Sequence, residues 1–434
     1  MDFELQPGGC VRGQLRVPGD KSISHRAVML GSLAHGETRV TGLLEGEDVL
    51  ATVQAFRQLG VAIEGPESGS LRILGAGLDG LEKPAAALNM GNAGTGMRLM
   101  AGILAGQTFS SELRGDASLH KRPMQRVITP LKKMGAKIDS AQGGRPPLRI
   151  MGSQSLHGID YELPMASAQV KSAILLAGLF TDSITSVTQP APTRDHTERM
   201  LRGFGYELHE DEQAVALAGG GTLTGCDIDV PADISSAAFF LVAASIAPDS
   251  ELQLTHVGVN PTRTGVIDVL RLMGANIEVG ESRLVGGEPV ADIVVRHAPL
   301  KGIEIPRELV PLAIDEFPVL FIAAACADGT TVLRGAEELR VKESDRIASM
   351  AAGLSQLGVS AEILNDGIVI QGGPIKGGEV KTFMDHRVAM AFSVAALRAS
   401  EPIRVKQTDH VATSFPGFAR IAAELGLQIR VVGT

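Results

Sequence analysis

The sequence predicts an α/β protein of two similar domains, each made of three repeated helix–strand–helix–strand units with buried helices beneath sheets. Three observations predict it. A short motif, an amphipathic helix running into a glycine and then an alternating strand, recurs six times at intervals of 68 to 84 residues. Six other segments, one ahead of each motif, begin polar and become almost wholly apolar. The two patterns alternate along the 434-residue chain without a long linker, as internal duplication requires.

The elements follow in order. The first unit opens with DKSISHRAVMLGSLA from Asp20, continues with ETRVTGLL as a strand, and closes with FRQLGVAIE at Phe56–Glu64. The second opens with GNAGTGMRLMAGILA from Gly91 and closes with LKKMGAKID at Leu131–Asp139. The third opens with ASAQVKSAILLAGLF from Ala166 and closes with LRGFGYELH at Leu201–His209. The fourth opens with ADISSAAFFLVAASI from Ala232 and closes with LRLMGANIE at Leu270–Glu278. The fifth runs from DEFPVLFIAAACA at Asp315 through the strand TTVLRGA to LSQLGVSAE at Leu354–Glu362. The sixth opens with DHRVAMAFSVAAL from Asp385 and closes with AAELGLQIR at Ala422–Arg430.

A helix that is apolar all round is buried. Only the polar first turn of each opening helix is then left to meet solvent or ligand. Gly60, Gly135, Gly205, Gly274, Gly358 and Gly426 stand just past the amphipathic helices, where a left-handed residue closes the last turn. The units group three and three. Residues 21–228 form one domain, and residues 1–20 with 229–434 form the other, the leading strand Gly13–Pro18 completing the latter.

Composition narrows the function classes. Hydrophobic residues are 44% and charged residues 21%, which excludes disorder for the chain as a whole. The 51 glycines exceed the usual share of about 7%. A formal net charge of -9 with 3% aromatics speaks against a nucleic-acid binder, which needs a basic face and stacking platforms. Cys10, Cys226 and Cys326 are far apart and form no CxxC, so neither a disulfide framework nor a cysteine zinc site is expected. MDFELQPGGCVRG carries no signal-peptide pattern, and the apolar runs Ala237–Ala247 and Val319–Ala327 are too short to span a bilayer. A cytoplasmic protein without membrane or nucleic-acid partners is expected.

Against the acidic total, cations gather at the polar ends of the buried helices. The first end has Lys21, Ser22 and Arg26. The second has Asn92, Thr95 and Arg98, followed by Lys121, Arg122 and Arg126. The third has Ser167, Gln169 and Lys171, followed by Arg194. The second half adds Arg340, Lys342, Arg346 and Arg387. Any one arginine reads as a solvated surface charge, but the set recurs at matching points of the repeat. Helix N-termini and forked guanidinia both favour anions, so a small, multiply charged anion is the expected ligand. Two carboxylates accompany these cations. Asp315 opens the fifth buried helix, where a plain N-cap is the competing reading. Glu343 lies between Lys342 and Asp345, and the spacing predicts Lys342 and Arg346 on one helical face with Glu343 beside them. A carboxylate amid cations suits acid–base chemistry on an anionic substrate.

Other motifs fail. GNAGTG is not the dinucleotide fingerprint, and PGDKS lacks the spacing of a P-loop. His196-Thr197-Glu198 has no PCxxC after it, which removes a zinc deaminase.

The segments PGDKSISHRA, GNAGTGMR, KRPM, SAQVKSA, TRDHTERM, DEFP, ELRVKESDR and MDHRVAM together resemble the 5-enolpyruvylshikimate-3-phosphate synthase family, from about residue 5 to 430. ELRVKESDR, SAQVKSA and RPPLRI resemble its second class. The resemblance implies the enolpyruvyl transferase fold and transfer of the carboxyvinyl group of phosphoenolpyruvate to the 5-hydroxyl of shikimate 3-phosphate through a tetrahedral ketal. It implies shikimate-phosphate contacts at Ser22, Arg26, Ser167, Ala168, Gln169, Arg194, Asp315 and Lys342. It implies phosphoenolpyruvate contacts at Lys21, Gly94, Thr95, Arg122, Gln169, Arg346 and Arg387. Asp315 and Glu343 resemble the proton-transfer pair, with Lys21 assisting. No metal or organic cofactor is implied, and a monomer is expected.

One departure is visible. Some relatives carry a lysine near the C-terminal TSFP, where this chain reads HVATSFPGF, and Lys406 is too far upstream to replace it. Glyphosate-tolerant second-class relatives carry alanine where Gly94 stands, so the resemblance implies a more inhibitable site here. The nearest rival, UDP-N-acetylglucosamine enolpyruvyl transferase, typically uses a cysteine before its R-P, and GDASLHKRP at Gly115–Pro123 has none. An RNA 3'-phosphate cyclase would need a nucleotide-accepting histidine and a basic groove. A non-catalytic binding protein has no use for Asp315 and Glu343 beside the cations.

Overall fold

A computed structural model describes residues 1–152, 155–211 and 213–433. The chain divides into two compact units. Unit one comprises Met1–Pro18, Pro231–Arg283 and Pro289–Thr434, and unit two comprises Gly19–Val230 and Leu284–Glu288.

Unit two contains six α-helices among its described residues. They are α1 (Lys21–Leu33), α2 (Glu47–Gln58), α3 (Gly94–Ala105), α4 (Gln125–Lys133), α5 (Ala168–Gly178) and α6 (His196–Gly203). The odd-numbered helices are the apolar ones and lie in the core, with ten of the twelve residues of α3 buried. Helices α3 and α5 approach closely because Gly102 has no side chain, since a Cβ there would sit 2.2 Å from the Ala173 carbonyl oxygen. The even-numbered helices bury one face only. Over them lie three four-stranded sheets. The first has the order Asp227–Asp229, His35–Thr41, Ser70–Ala76, Ala62–Glu67, with its first pair parallel and the others antiparallel. The second and third repeat that arrangement.

Unit one repeats the plan with α7 (Ile234–Ile246), α8 (Gly265–Leu272), α9 (Phe317–Cys326), α10 (Arg346–Gln356), α11 (His386–Ala395) and α12 (Phe418–Glu424). All 13 residues of α7 are buried, as expected of a helix whose residues are all apolar apart from three serines. The leading strand is observed at Arg12–Leu15, overlapping the expected Gly13–Pro18 but starting one residue earlier and ending three earlier, and pairs in parallel with Glu251–Gly258. The strand that precedes α1 in the chain therefore belongs to unit one. The strand that precedes α7, Asp227–Asp229, belongs to unit two. The sixth sheet is completed from the other end of the chain. Strand Asp2–Leu5 lies between Ile403–Lys406 and Ile429–Val432, antiparallel to both.

All six motif glycines have positive φ, from 81° at Gly358 to 115° at Gly426. At each, the glycine N–H bonds the carbonyl three residues back and the next N–H bonds the carbonyl five back, as in Gly60 to Arg57 and Val61 to Phe56. This paired closure is the Schellman cap, which turns the chain from helix into strand. The repeat holds more strand than the four-element reading. In the first five units a second strand follows the one after the glycine, as Ser70–Ala76 follows Ala62–Glu67. Short parallel edge strands are added as well, and two or three residues are too few to show a period-2 signal.

Candidate active site

In unit two the polar residues sit at three helix starts. Asp20 caps α1, its Oδ1 accepting from the Ile23 N–H at 2.8 Å. Lys21 and Ser22 are thereby the first residues of α1. The Lys21 ammonium lies 3.0 Å from Asp48 Oδ2 at the start of α2. One turn on, Arg26 is 3% exposed and donates from Nε to Thr197 Oγ1 at 2.7 Å, from Nη1 to the Ser22 carbonyl at 2.9 Å and from Nη2 to Ser172 Oγ at 2.8 Å. It joins α1, α5 and α6, and burial pushes its guanidinium down to about 10. Arg194, just ahead of α6, is half-buried.

The starts of α3 and α5 are linked. Ala93 offers α3 no side-chain cap, whereas Ser167 Oγ caps α5 by accepting from the Val170 N–H at 3.4 Å. Ala168 and Gln169 then open α5. Gln169 donates to Thr95 Oγ1 at 2.8 Å, and Arg98 Nη1 donates to Gln169 Oε1 at 2.9 Å. Arg122 Nη2 donates to Asn92 Oδ1 at 2.7 Å, and Asn92 in turn donates to Asp116 Oδ2 at 2.8 Å. A Cβ on Gly94 would meet Arg122 Nη1 at 2.7 Å and Arg98 Nη1 at 3.1 Å. Two guanidinia thus crowd the bare backbone at the first turn of α3, an anion-favouring arrangement. Lys171 is different. It is fully buried and paired with Glu198 at 2.5 Å, so it serves the core.

In unit one the site residues converge on Arg346, the first residue of α10. Its guanidinium meets Asp315 Oδ1 at 3.3 Å, Glu343 Oε2 at 2.7 Å and Asp385 Oδ2 at 2.9 Å. Burial alone would lower its pKa, but Asp385, Glu343 and Asp315 outweigh burial and hold it above the ordinary range. Lys342 Nζ lies 3.4 Å from Asp315 Oδ1. Arg387, in the first turn of α11, donates from Nη1 to the Asp315 carbonyl at 2.9 Å. The two carboxylates expected to move protons therefore share one guanidinium.

Two expectations are corrected. Asp315 neither opens nor caps the fifth buried helix. That helix begins at Phe317, its cap position is Glu316, and no side chain caps it. Lys342 and Glu343 are not on a helix with Arg346. They lie in the loop between a 3-10 turn at Glu337–Val341 and α10, whose cap Asp345 accepts from the Ala348 N–H at 3.0 Å. The loop wraps toward Asp315, achieving the grouping that a helical face was expected to provide.

Sequence reasoning missed three buried acids here. Asp385 is wholly buried, holds Arg346 Nε, accepts from Ser344 Oγ at 3.1 Å and caps α11 through the Arg387 N–H at 2.9 Å. Asp48 was hidden in an amphipathic helix, and Glu316 behind its neighbour in DEFP. Lys406 is engaged elsewhere, 3.0 Å from Asp2 Oδ2 and 3.7 Å from Glu379 Oε2.

The family profile described as EPSP synthase (3-phosphoshikimate 1-carboxyvinyltransferase) matches residues 5–421. The chain is 63% identical over 430 residues to the 3-phosphoshikimate 1-carboxyvinyltransferase of Alkalilimnicola ehrlichii, covering 99% of this chain and 96% of that protein. It is 62% identical over 433 residues to the enzyme of that name from Halorhodospira halophila, covering 100% and 98%. Among solved structures, an EPSP synthase from Acinetobacter baumannii matches with a TM-score of 0.90 at 55% identity, covering 100% of both chains. The enolpyruvyl transferase NikO from Streptomyces tendae matches with a TM-score of 0.80 at 17% identity, covering 99% and 98%, a likeness of fold.

Proposed function

We propose a division of labour among the residues of a chain that belongs to the EPSP synthase family and transfers the carboxyvinyl group of phosphoenolpyruvate to shikimate 3-phosphate, a step of aromatic amino-acid biosynthesis. The 5-hydroxyl oxygen bonds to C2 of phosphoenolpyruvate while C3 gains a proton, giving a tetrahedral ketal. Phosphate then leaves C2 as C3 gives up a proton, which restores the double bond in the product. Asp315, beside Lys342 in the shikimate-phosphate set, takes the hydroxyl proton. Glu343, held by Arg346 in the phosphoenolpyruvate set, delivers and removes the C3 proton, and Lys21 assists. Gly94, Thr95, Arg122, Gln169, Arg346 and Arg387 hold phosphoenolpyruvate. Ser22, Arg26, Ser167, Ala168, Gln169, Arg194 and Lys342 hold shikimate 3-phosphate.

The observation that carries this reading is the single Arg346 guanidinium paired with both carboxylates. Such a pairing fixes two proton carriers in one geometry beside cations. The proposed steps call on no metal or organic cofactor, and on no nucleic acid or membrane. A cytoplasmic monomer is part of the same proposal, and size-exclusion chromatography tests the oligomeric state. The test of the mechanism is phosphate release from phosphoenolpyruvate with shikimate 3-phosphate as acceptor. Glu343→Gln is expected to lose about 10²–10⁴-fold in kcat while both KM values stay within a few-fold. Turnover near that of the parent would remove Glu343 from the proton path.

A further inference from the structure

Glu316 is a charged side chain of unit one that no proposed step uses and no solvent touches. Its side chain is 0% exposed, and a buried carboxylate persists only where cations and hydrogen bonds compensate its lost hydration. Its Oε1 accepts from Ser235 Oγ and lies 3.5 Å from Arg387 Nη1 and 3.9 Å from Arg263 Nη2. Arg263 Nη2 also donates to Ser235 Oγ at 2.7 Å and to Asp233 Oδ1 at 3.2 Å. Ser235 stands in the first turn of α7, Glu316 occupies the position just ahead of α9, and Arg387 stands in the first turn of α11. One carboxylate therefore joins the N-terminal ends of three buried helices.

The arrangement at Arg387 is asymmetric. Nη1 is held twice, by the Asp315 carbonyl at 2.9 Å and by Glu316 at 3.5 Å. Among the described residues no hydrogen bond engages its Nε or Nη2. A guanidinium grips an anion at two points through one edge, and that edge is useful only if rotation about the side chain is stopped. We propose that Glu316 is a positioning residue for phosphoenolpyruvate. By holding Nη1, it keeps the Nε–Nη2 edge of Arg387 turned to the anion. The inference rests on the reading of Arg387 as a phosphoenolpyruvate contact. Arg263 offsets the Glu316 charge at longer range, so orientation, and not repulsion of the anionic substrate, decides the sign of the effect.

Steady-state kinetics of Glu316→Gln, Arg387→Gln and the double variant test it. Glu316→Gln keeps the shape but loses the charge that holds Nη1. Its KM for phosphoenolpyruvate is expected to rise about tenfold, a change of about 1.4 kcal/mol, with KM for shikimate 3-phosphate within about twofold. In the Arg387→Gln background the same change is expected to add nothing further to KM for phosphoenolpyruvate. Equal rises in both KM values, or a full additional rise in the double variant, would overturn the positioning role. If Arg387→Gln leaves KM for phosphoenolpyruvate unchanged, the reading of Arg387 itself fails, and the inference with it. Should Glu316→Gln not fold, Ser235→Ala carries the test, because it frees Glu316 without removing its charge. A selective rise for phosphoenolpyruvate supports the proposal, and no rise overturns it.

Discussion

Gly94 shows how much can depend on one hydrogen. Its place in GNAGTGMR marks it as a backbone-to-ligand approach, but the sequence does not show what fills the space beside it. The structure puts Arg122 Nη1 2.7 Å and Arg98 Nη1 3.1 Å from where a Cβ would be. Both are ends of flexible side chains, so a methyl should move guanidinia and leave α3 in place. Gly94→Ala is expected to raise KM for phosphoenolpyruvate several-fold through Arg122. It should raise the inhibition constant of glyphosate, a longer molecule, far more. The melting temperature should stay within about 2–4 °C. Inhibition curves at matched phosphoenolpyruvate check this, and identical curves for parent and variant would show that other residues shape the pocket. Asp315 and Glu343 were legible as residue types amid cations. Their common partner was not, because the grouping depends on a loop, and loop paths have no periodicity to read.

At the scale of elements, the six capped helices are where sequence and structure agree most closely. A left-handed glycine and a Schellman pair are local events within seven residues, so they leave a local signature. Their energies differ with surroundings. Gly205 has φ +82° and no atom within 4 Å of a built Cβ, while a Cβ on Gly426 would meet the Cys10 carbonyl oxygen at 2.1 Å. Gly205→Ala is expected to cost only the left-handed penalty, about 1–2 kcal/mol. Gly426→Ala should cost clearly more, since backbone must move as well. Calorimetric melts of both variants compare them, and equal losses would mean that the segment around Cys10 yields freely. The second strand of each hairpin was less legible, because after one alternating strand the next reads equally well as loop.

At the scale of the whole molecule, the first residues of the chain finish the last sheet. Glu4 stands opposite both Arg404 and Arg430 in the register. Asp2 is 1% exposed and accepts from Arg404 Nη2 at 2.9 Å and from the Gln407 N–H at 3.1 Å, with Lys406 Nζ 3.0 Å away. Burial raises its pKa, but the Gln407 N–H, Lys406 and Arg404 outweigh burial and hold it at about 2. A carboxyl depressed by folding stabilises the fold above its unfolded pKa near 3.9, and that share fades as pH falls toward 2. Asp2→Asn should therefore melt earlier than the parent at pH 7, with the gap narrowing once pH drops below about 4. Thermal melts between pH 7 and pH 3 measure the gap. A constant difference would show that Asp2 acts through shape and not charge.

By itself the sequence determined the sixfold repeat, the burial of one helix per unit, the glycine caps and the family resemblance that short motifs carry across the chain. Each of these is written in residues close together, where the helical period, the strand period and the conformational freedom of glycine act directly. The tertiary structure alone decided the rest. It placed Asp2–Leu5 in a sheet with strands about four hundred residues away, gave Arg346 its three carboxylates and built the Ser235–Glu316–Arg387 connection. The reason is that a buried charge is tolerable only beside partners brought by other segments, and no local pattern along a chain records which segments those are.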